Sequence, residues 1–103
     1  SNEQVFASFY DVNINSLGLE VIQDNEGIKA KFNKGEVKIN DRENYLAGYA
    51  NKITILSERN EMIMDGEAFI DQDGFKIKSE TIHYNLKENR IIKSLNSTIE
   101  NNG

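Results

Sequence analysis

The chain has 103 residues, 38% hydrophobic and 28% charged, with a net charge of −5 and neither cysteine nor proline. That is enough for one domain with a modest core. The absence of cysteine excludes disulfides and thiolate metal sites, and the acidic balance argues against a nucleic-acid backbone as partner. No apolar run approaches the ~18 residues of a membrane span, and no signal peptide is visible. The opening Ser1-Asn2-Glu3 is expected to follow a native leader or anchor. Without proline, nearly every backbone N–H is free to join a ladder.

In chain order, Val5, Ala7 and Phe9 alternate with polar residues, and Val12 and Ile14 resume the alternation in a new phase. The shift at Tyr10-Asp11 predicts a bulge or two short strands; residues 5–10 are the one place where a helical turn is conceivable. Asn15-Ser16 before Leu17-Gly18 carries turn chemistry. A short strand is predicted over 18–23, and a turn at Asp24-Asn25-Glu26-Gly27. Ile28, Ala30 and Phe32 share one face of a strand over 28–32. Asn33-Lys34-Gly35 is expected to turn the chain into a strand over 36–40, where Val37 and Ile39 face one way. Residues 41–44 read as a loop, and 45–50 lead onward.

Two segments, 50–71 and 79–100, read as one unit written twice at an offset of 29. Ile53 falls on Ile82, Asn60 on Asn89, Ile63 on Ile92 and Ile70 on Ile99. Each copy has an alternating apolar run, a polar turn and a second alternating run, which is a hairpin unit of a repeat fold. A weaker earlier copy lies within about 20–40, where Gly35-Glu36-Val37-Lys38-Ile39-Asn40 resembles Gly66-Glu67-Ala68-Phe69-Ile70-Asp71. Strands are predicted over 52–58, 61–72, 75–80, 81–87 and 90–101. Their turns are Arg59-Asn60, Gln72-Asp73-Gly74 and Glu88-Asn89; Asp73-Gly74 has the signature of a type I′ hairpin. No window shows a helical apolar stripe. The expected fold is all-β and antiparallel, a single domain over 1–103.

Parity sends Ile53, Ile55, Phe75, Ile77, Ile82, Tyr84 and Leu86 inward, with Thr54, Lys76, Lys78 and His83 on the opposite face. Counting back from Ile70 and Ala68 places Met64 and Met62 inside. The same count from Ile99 places Leu95, Lys93 and Ile91 inside, so either a lysine turns inward or a bulge resets the phase. The interior is apolar and holds no catalytic constellation. His83, the one histidine, reads as a solvated strand position. Asp71-Gln72-Asp73-Gly74 lacks the remaining ligands of a calcium loop. Asn96-Ser97-Thr98 matches a glycosylation sequon, relevant only in a eukaryotic secretory setting. No enzyme activity, cofactor or metal is expected. Lys29, Lys31, Lys34, Lys38, Lys76 and Lys78 read mainly as solubilising, edge-guarding residues.

The pattern Asn51-Lys52-Ile53-Thr54-Ile55, Asp65-Gly66-Glu67-Ala68-Phe69-Ile70, Gly74-Phe75-Lys76-Ile77-Lys78-Ser79 and Ile82-His83-Tyr84-Asn85 resembles the OstA-like domain of the lipopolysaccharide-transport proteins. Phe6-Ala7-Ser8-Phe9-Tyr10-Asp11-Val12 and Gly18-Leu19-Glu20-Val21 resemble the opening of the LptC branch first and LptA second. The resemblance implies a twisted β-jellyroll, or open sandwich, with lipopolysaccharide acyl chains between its sheets. It makes Ile53, Ile55, Met64, Ala68, Ile70, Phe75, Ile77, Ile82, Tyr84, Leu86 and Leu95 the groove lining, and brings the lysines near lipid phosphates at its mouth. It further implies edge-strand pairing with other Lpt proteins, with the strand over 90–101 as a candidate edge, and work alongside an inner-membrane ABC transporter. The location implied is the periplasm, with an N-terminal tether to the inner membrane. The residues alone equally accommodate a β-repeat structural or adhesion module with a closed core.

Overall fold

The computed structural model describes residues 3–25, 27–40, 45–95 and 98–101. Period-two alternation drives nearly all of them into strands: β1 (Gln4–Phe9), β2 (Val12–Leu17), β3 (Leu19–Asp24), β4 (Gly27–Asn40), β5 (Tyr45–Leu56), β6 (Glu61–Gln72), β7 (Phe75–Asn85), β8 (Arg90–Leu95) and β9 (Thr98–Asn101). One 3-10 turn, Ser57–Arg59, links β5 to β6. The strands make one antiparallel sheet in the order β1-β2-β4-β5-β6-β7-β8, with β3 also on β4 and β9 also on β7. Among the described residues nothing pairs β1 with β8, so the sheet does not close.

Every long strand bends at one line across the sheet. In β4 the buried residues run Ala30, Phe32, then Gly35, Val37 and Ile39; in β5, Leu46 and Ala50, then Ile53 and Ile55; in β7, Ile77 and Ser79, then Ile82 and Tyr84. Each series skips one residue, which keeps both halves of the strand facing a common interior once the strand turns. β6 reaches the same end with a bulge. Gly66 and Glu67 take φ of 82° and 49°, and the pairing of β6 with both neighbours shifts register there. β2 and β3 follow β4 in one register, from Asn13↔Lys38 to Leu19↔Phe32. They are halves of one strand, bent at Gly18 with φ 91°. At the bends, Ser16 donates to Gly18 O at 3.2 Å, and Ser79 Oγ contacts Thr81 O at 2.9 Å. These buried hydroxyls engage backbone carbonyls at the bend, where the ladder is interrupted.

The bend folds the sheet onto itself as two walls. A straight 14-residue strand would measure roughly 46 Å, yet two of the three principal extents are 26 Å. The walls share a single core that includes Val12, Ile14, Phe32, Ile39, Leu46, Ile53, Met62, Met64, Ile70, Ile82 and Tyr84. Phe9 meets Phe32 edge to face, with ring centroids 6.2 Å apart.

Several expectations change. Asn33-Lys34-Gly35 does not reverse the chain. Lys34 takes φ 47°, and the three residues form the bend within the 14-residue β4. Residues 75–80 and 81–87 join in one strand, β7, because the bend carries its ladders across. Within the strand predicted over 90–101, β8 and β9 follow β7 in one register, from Thr81↔Leu95 to Lys78↔Thr98. Tyr10-Asp11 is a hairpin turn between two short strands, with Tyr10 at φ 56°, and residues 5–10 hold no helical turn. Asp73 and Gly74 take φ of 52° and 87°, as a type I′ turn requires. Asn60 and Asn89, 29 residues apart, take φ of 52° and 54°. The loop expected over 41–44 and most of the sequon lie outside the described residues.

Candidate functional site

Among the described residues the inward apolar side chains gather in the space between the walls, and the ends of the walls meet along a seam opposite the bend. Two hydrogen bonds lace that seam. The Tyr10 hydroxyl, in the β1–β2 turn, donates to Asn60 Oδ1 in the β5–β6 turn at 2.6 Å. The Gln72 amide, at the end of β6, donates to the Asn89 carbonyl in the β7–β8 turn at 3.0 Å. Each bond joins an end of one wall to an end of the other.

Beside the first bond lies a cleft of about 370 Å³. It is lined by Ser8, Phe9, Tyr10, Ile55, Ser57, Asn60 and Leu86. Phe9, Ile55 and Leu86 belong to the inward face, so the cleft is a mouth of the interior. A second opening lies at β3. Leu19 pairs with Phe32 and Val21 with Ala30, which puts both on the inward face, and Ile28 shares the parity of Ala30. They are nonetheless 39%, 61% and 48% exposed. Among the described residues no strand of the opposite wall covers this corner, and it leaves an apolar strip continuous with the core.

Of the groove residues expected from the sequence, Ile53, Ile55, Met64, Ala68, Ile70, Ile77, Ile82, Tyr84 and Leu86 are buried in this interior. Phe75 and Leu95 are not. Phe75 has the inward parity of Ile77 but stands at the outer end of its wall, 38% exposed. Leu95 faces outward, 57% exposed. The register of β7 and β8 shifts between Tyr84↔Ile91 and His83↔Lys93, so Ile92 is the extra residue of a bulge. The bulge keeps Lys93 on the outer face with His83 and turns Leu95 out with it. Phe9, Tyr10 and Asn60 at the mouth were not anticipated; the one signal for them was the turn chemistry of Tyr10-Asp11 and Arg59-Asn60.

The interior is not wholly apolar. Tyr84 is fully buried, and its hydroxyl has no hydrogen-bond partner among the described residues. Burial pushes its pKa from 10 up to about 12. The Gln72 side chain beside it eases the ionised form, and the Asp73 carboxylate opposes it. The Gln72 amide has a second N–H besides the one bound to the Asn89 carbonyl, and it lies next to the phenol. The side-chain oxygen of Asn89 is also buried, without a partner among the described residues.

The polar residues weighed as chemical candidates have structural partners. His83 Nδ1 lies 2.5 Å from Glu61 Oε1 on the outer face, so it is paired where a solvated position was expected. Asp71 accepts from Gly74 N at 3.1 Å, and Asp73 from Tyr45 N at 3.0 Å. These carboxylates fix a hairpin and brace it to β5. Among the described residues no group of acidic, histidine or cysteine side chains is arranged to hold a metal. No helix among the described residues is long and apolar enough to cross a membrane. The arrangement offers apolar binding surface.

No curated protein sequence matches the chain. Among solved structures, it is similar to LptH from Pseudomonas aeruginosa, described as the LptA-homologous periplasmic component of the lipopolysaccharide transport device. The TM-score is 0.74 at 12% identity, over 90% of this chain and 76% of that one. At that identity the likeness speaks for the fold, an open β-jellyroll. In sequence, residues 11–90 match the family described as LptA/(LptD N-terminal domain) LPS transport protein. That match spans most of the chain, from β2 to the start of β8, and so the chain belongs to the LptA and LptD N-terminal family of lipopolysaccharide-transport proteins.

Proposed function

We propose that this chain is a periplasmic lipopolysaccharide carrier that holds acyl chains between its two walls and passes them toward the outer membrane without catalysis. The observation that carries this reading is the strip Leu19, Val21 and Ile28: inward-facing, apolar and uncovered, continuous with a core that opens again beside Phe9, Ile55 and Leu86. Each buried CH₂ contributes about 0.8 kcal/mol, so several chains can be held with few polar contacts. Of the two branches expected from the sequence, the family match favours an LptA-like role over an LptC-like one. The edges left unpaired among the described residues, β1 at one side and β8 with β9 at the other, suit strand addition by other Lpt proteins, in a bridge fed by an inner-membrane ABC transporter.

A closed structural module is the competing reading, and the near-complete burial of Ile53, Met64, Ile82 and Tyr84 favours it. Photo-crosslinking separates the two. A photoreactive residue at Val21, Ile55 or Leu86 should capture lipopolysaccharide, while one at Lys38 on the outer face should not. Capture at none of the interior positions, or equal capture at Lys38, rejects the carrier.

A further inference from the structure

Aromatic rings gather on the solvent side of one wall. Phe6 in β1, Tyr45 and Tyr49 in β5 and Phe69 in β6 alternate with inward residues and so face out. Register lines three of them up across the strands: Phe6 opposite Asn15, Asn15 opposite Glu36, Glu36 opposite Tyr49, and Tyr49 opposite Phe69. A comparable row on the outer face of the other wall, Lys31, Thr54, Ile63, His83 and Lys93, holds no phenyl or phenol ring. Phe6 is 74% exposed and Tyr45 44%, and neither serves the core. Two open depressions of about 410 and 370 Å³ lie along the aromatic row and meet at Glu36 and Lys38. Phe6 borders the first, and Tyr49 and Phe69 border the second. Together they make one groove across β1, β2, β4, β5 and β6. From Phe6 to Phe69 it spans four strand spacings, about 19 Å.

The polar groups between the rings are of mixed kind. The Ser8 hydroxyl donates to Asn13 Oδ1 at 2.7 Å, and the Gln4 amide donates to Asn15 Oδ1 at 3.0 Å. With their oxygens held, both asparagines offer N–H donors to the groove. Lys38 adds a donor, and Glu36 adds an acceptor of opposite charge. A polyanion would meet Glu36 and a polycation would meet Lys38, so the groove suits an uncharged ligand. The Tyr49 hydroxyl donates to Asn51 Oδ1 at 3.1 Å, which lays its ring along β5. A pyranose ring with equatorial substituents has apolar C–H faces that settle on the negative face of an aromatic ring. Its rim of hydroxyls donates and accepts alike. We propose that this groove binds a neutral glycan of flat, β-linked pyranose rings. The glycan stacks on Phe6 at one end and on Tyr49 and Phe69 at the other, with Asn13, Asn15 and Glu36 along its rim. This site stands apart from the lipid slot, which lies on the inner side of the same wall.

The test titrates the full chain with cellotriose, cellohexaose and maltohexaose by calorimetry and maps cellohexaose by amide NMR shifts. Cellohexaose reaches both aromatic ends and should bind about tenfold tighter than cellotriose, which reaches one. The curled, α-linked maltohexaose should bind no better than cellotriose. Amide shifts on adding cellohexaose should fall in β1, β2 and residues 36–38, 47–49 and 69. Phe6→Ala, at an exposed edge position, should leave the fold intact and erase the advantage of the hexamer over the trimer. Tyr49→Ala should weaken cellohexaose about tenfold, while Leu95→Ala, an exposed apolar residue of the other wall, should change nothing. Equal affinity for the three glycans overturns the groove, as does hexamer affinity that survives both Phe6→Ala and Tyr49→Ala. Amide shifts confined to β3 or the Phe9 mouth overturn it too, as does no binding of cellohexaose at its solubility limit. None of these failures touches the lipid slot, which is judged by crosslinking from the interior positions.

Discussion

Gly35 stands on one side of the bend in β4, and Ile53 on the other side of the bend in β5. A Cβ added at Gly35 would lie 2.5 Å from Ile53 Cδ1 and 3.3 Å from its Cγ1. Carbon atoms settle at about 3.5–4.0 Å, so Gly35→Ala demands about 1 Å of movement from Ile53. That side chain is fully buried. Gly35 is not among the glycines with positive φ, so alanine meets no backbone penalty. Overpacking costs about 1–3 kcal/mol, while alanine recovers about 0.5–1 kcal/mol over glycine in a strand. The expected net loss is about 1–2 kcal/mol, a fall of about 5–10 °C in Tm. Ile53→Val removes the clashing methyl and costs about 1 kcal/mol alone. With valine at 53, alanine at 35 fits, and the double variant should be no less stable than Ile53→Val by itself. Urea unfolding followed by circular dichroism, at constant m value, reads the coupling, expected at about 1–2 kcal/mol. Costs that add to within about 0.5 kcal/mol would show that the two positions do not touch, and would refute the packing of the walls across the bend.

Other outcomes follow from the same geometry. Tyr84 has a folded pKa of about 12, above its ordinary 10; its contribution is intact below pH 10 and falls away as pH rises from 10 to 12, because the unfolded chain loses the proton first. That loss is on the order of 2 kcal/mol, and Tyr84→Phe should erase it from a pH series of melts. Tyr10→Phe removes the bond to Asn60 at a cost of at most about 1 kcal/mol; amide exchange in β1 should nonetheless accelerate, and protection equal to the parent would mean the seam is held elsewhere. Gly66→Ala places a Cβ 2.9 Å from that of Asn51 at φ 82°, so a loss of about 1–3 kcal/mol is expected in chemical denaturation. Val21→Asp should leave stability within about 0.5 kcal/mol while weakening uptake of a long-chain amphiphile severalfold; unchanged uptake would count against the β3 opening.

The strands and their tight turns were legible because alternation and turn residues act locally. Asp73-Gly74 needs only its own φ preferences to make a hairpin, and β6 has the limits that its pattern predicts. The bend was not legible in the same way. Asn33-Lys34-Gly35 has the composition of a reversal, and its pairing with β5, Asn33↔Lys52 and Gly35↔Ala50, and the β2 and β3 ladders on either side keep the chain running onward. Leu95 was lost to the bulge at Ile92, since parity counting cannot see an extra residue. Nine of the eleven groove residues expected from the sequence are buried in the interior, because burial follows from parity near a turn. The mouth at Phe9, Tyr10 and Asn60 escaped because it joins residues 50 apart, a distance that no local pattern encodes.

The outermost strands follow the bend too. On one margin β8 and β9 lie on the two halves of β7, and on the other side of the sheet β2 gives way to β3 at Gly18. A rigid, straight fibril-forming peptide therefore finds only about half the length of β7 in line before the template turns away. A long hydrogen-bonded zipper with an arbitrary chain is denied, although the backbone groups there are exposed. A guest strand with its own matching elbow meets no such obstacle, so the shape of the border discriminates where its chemistry does not.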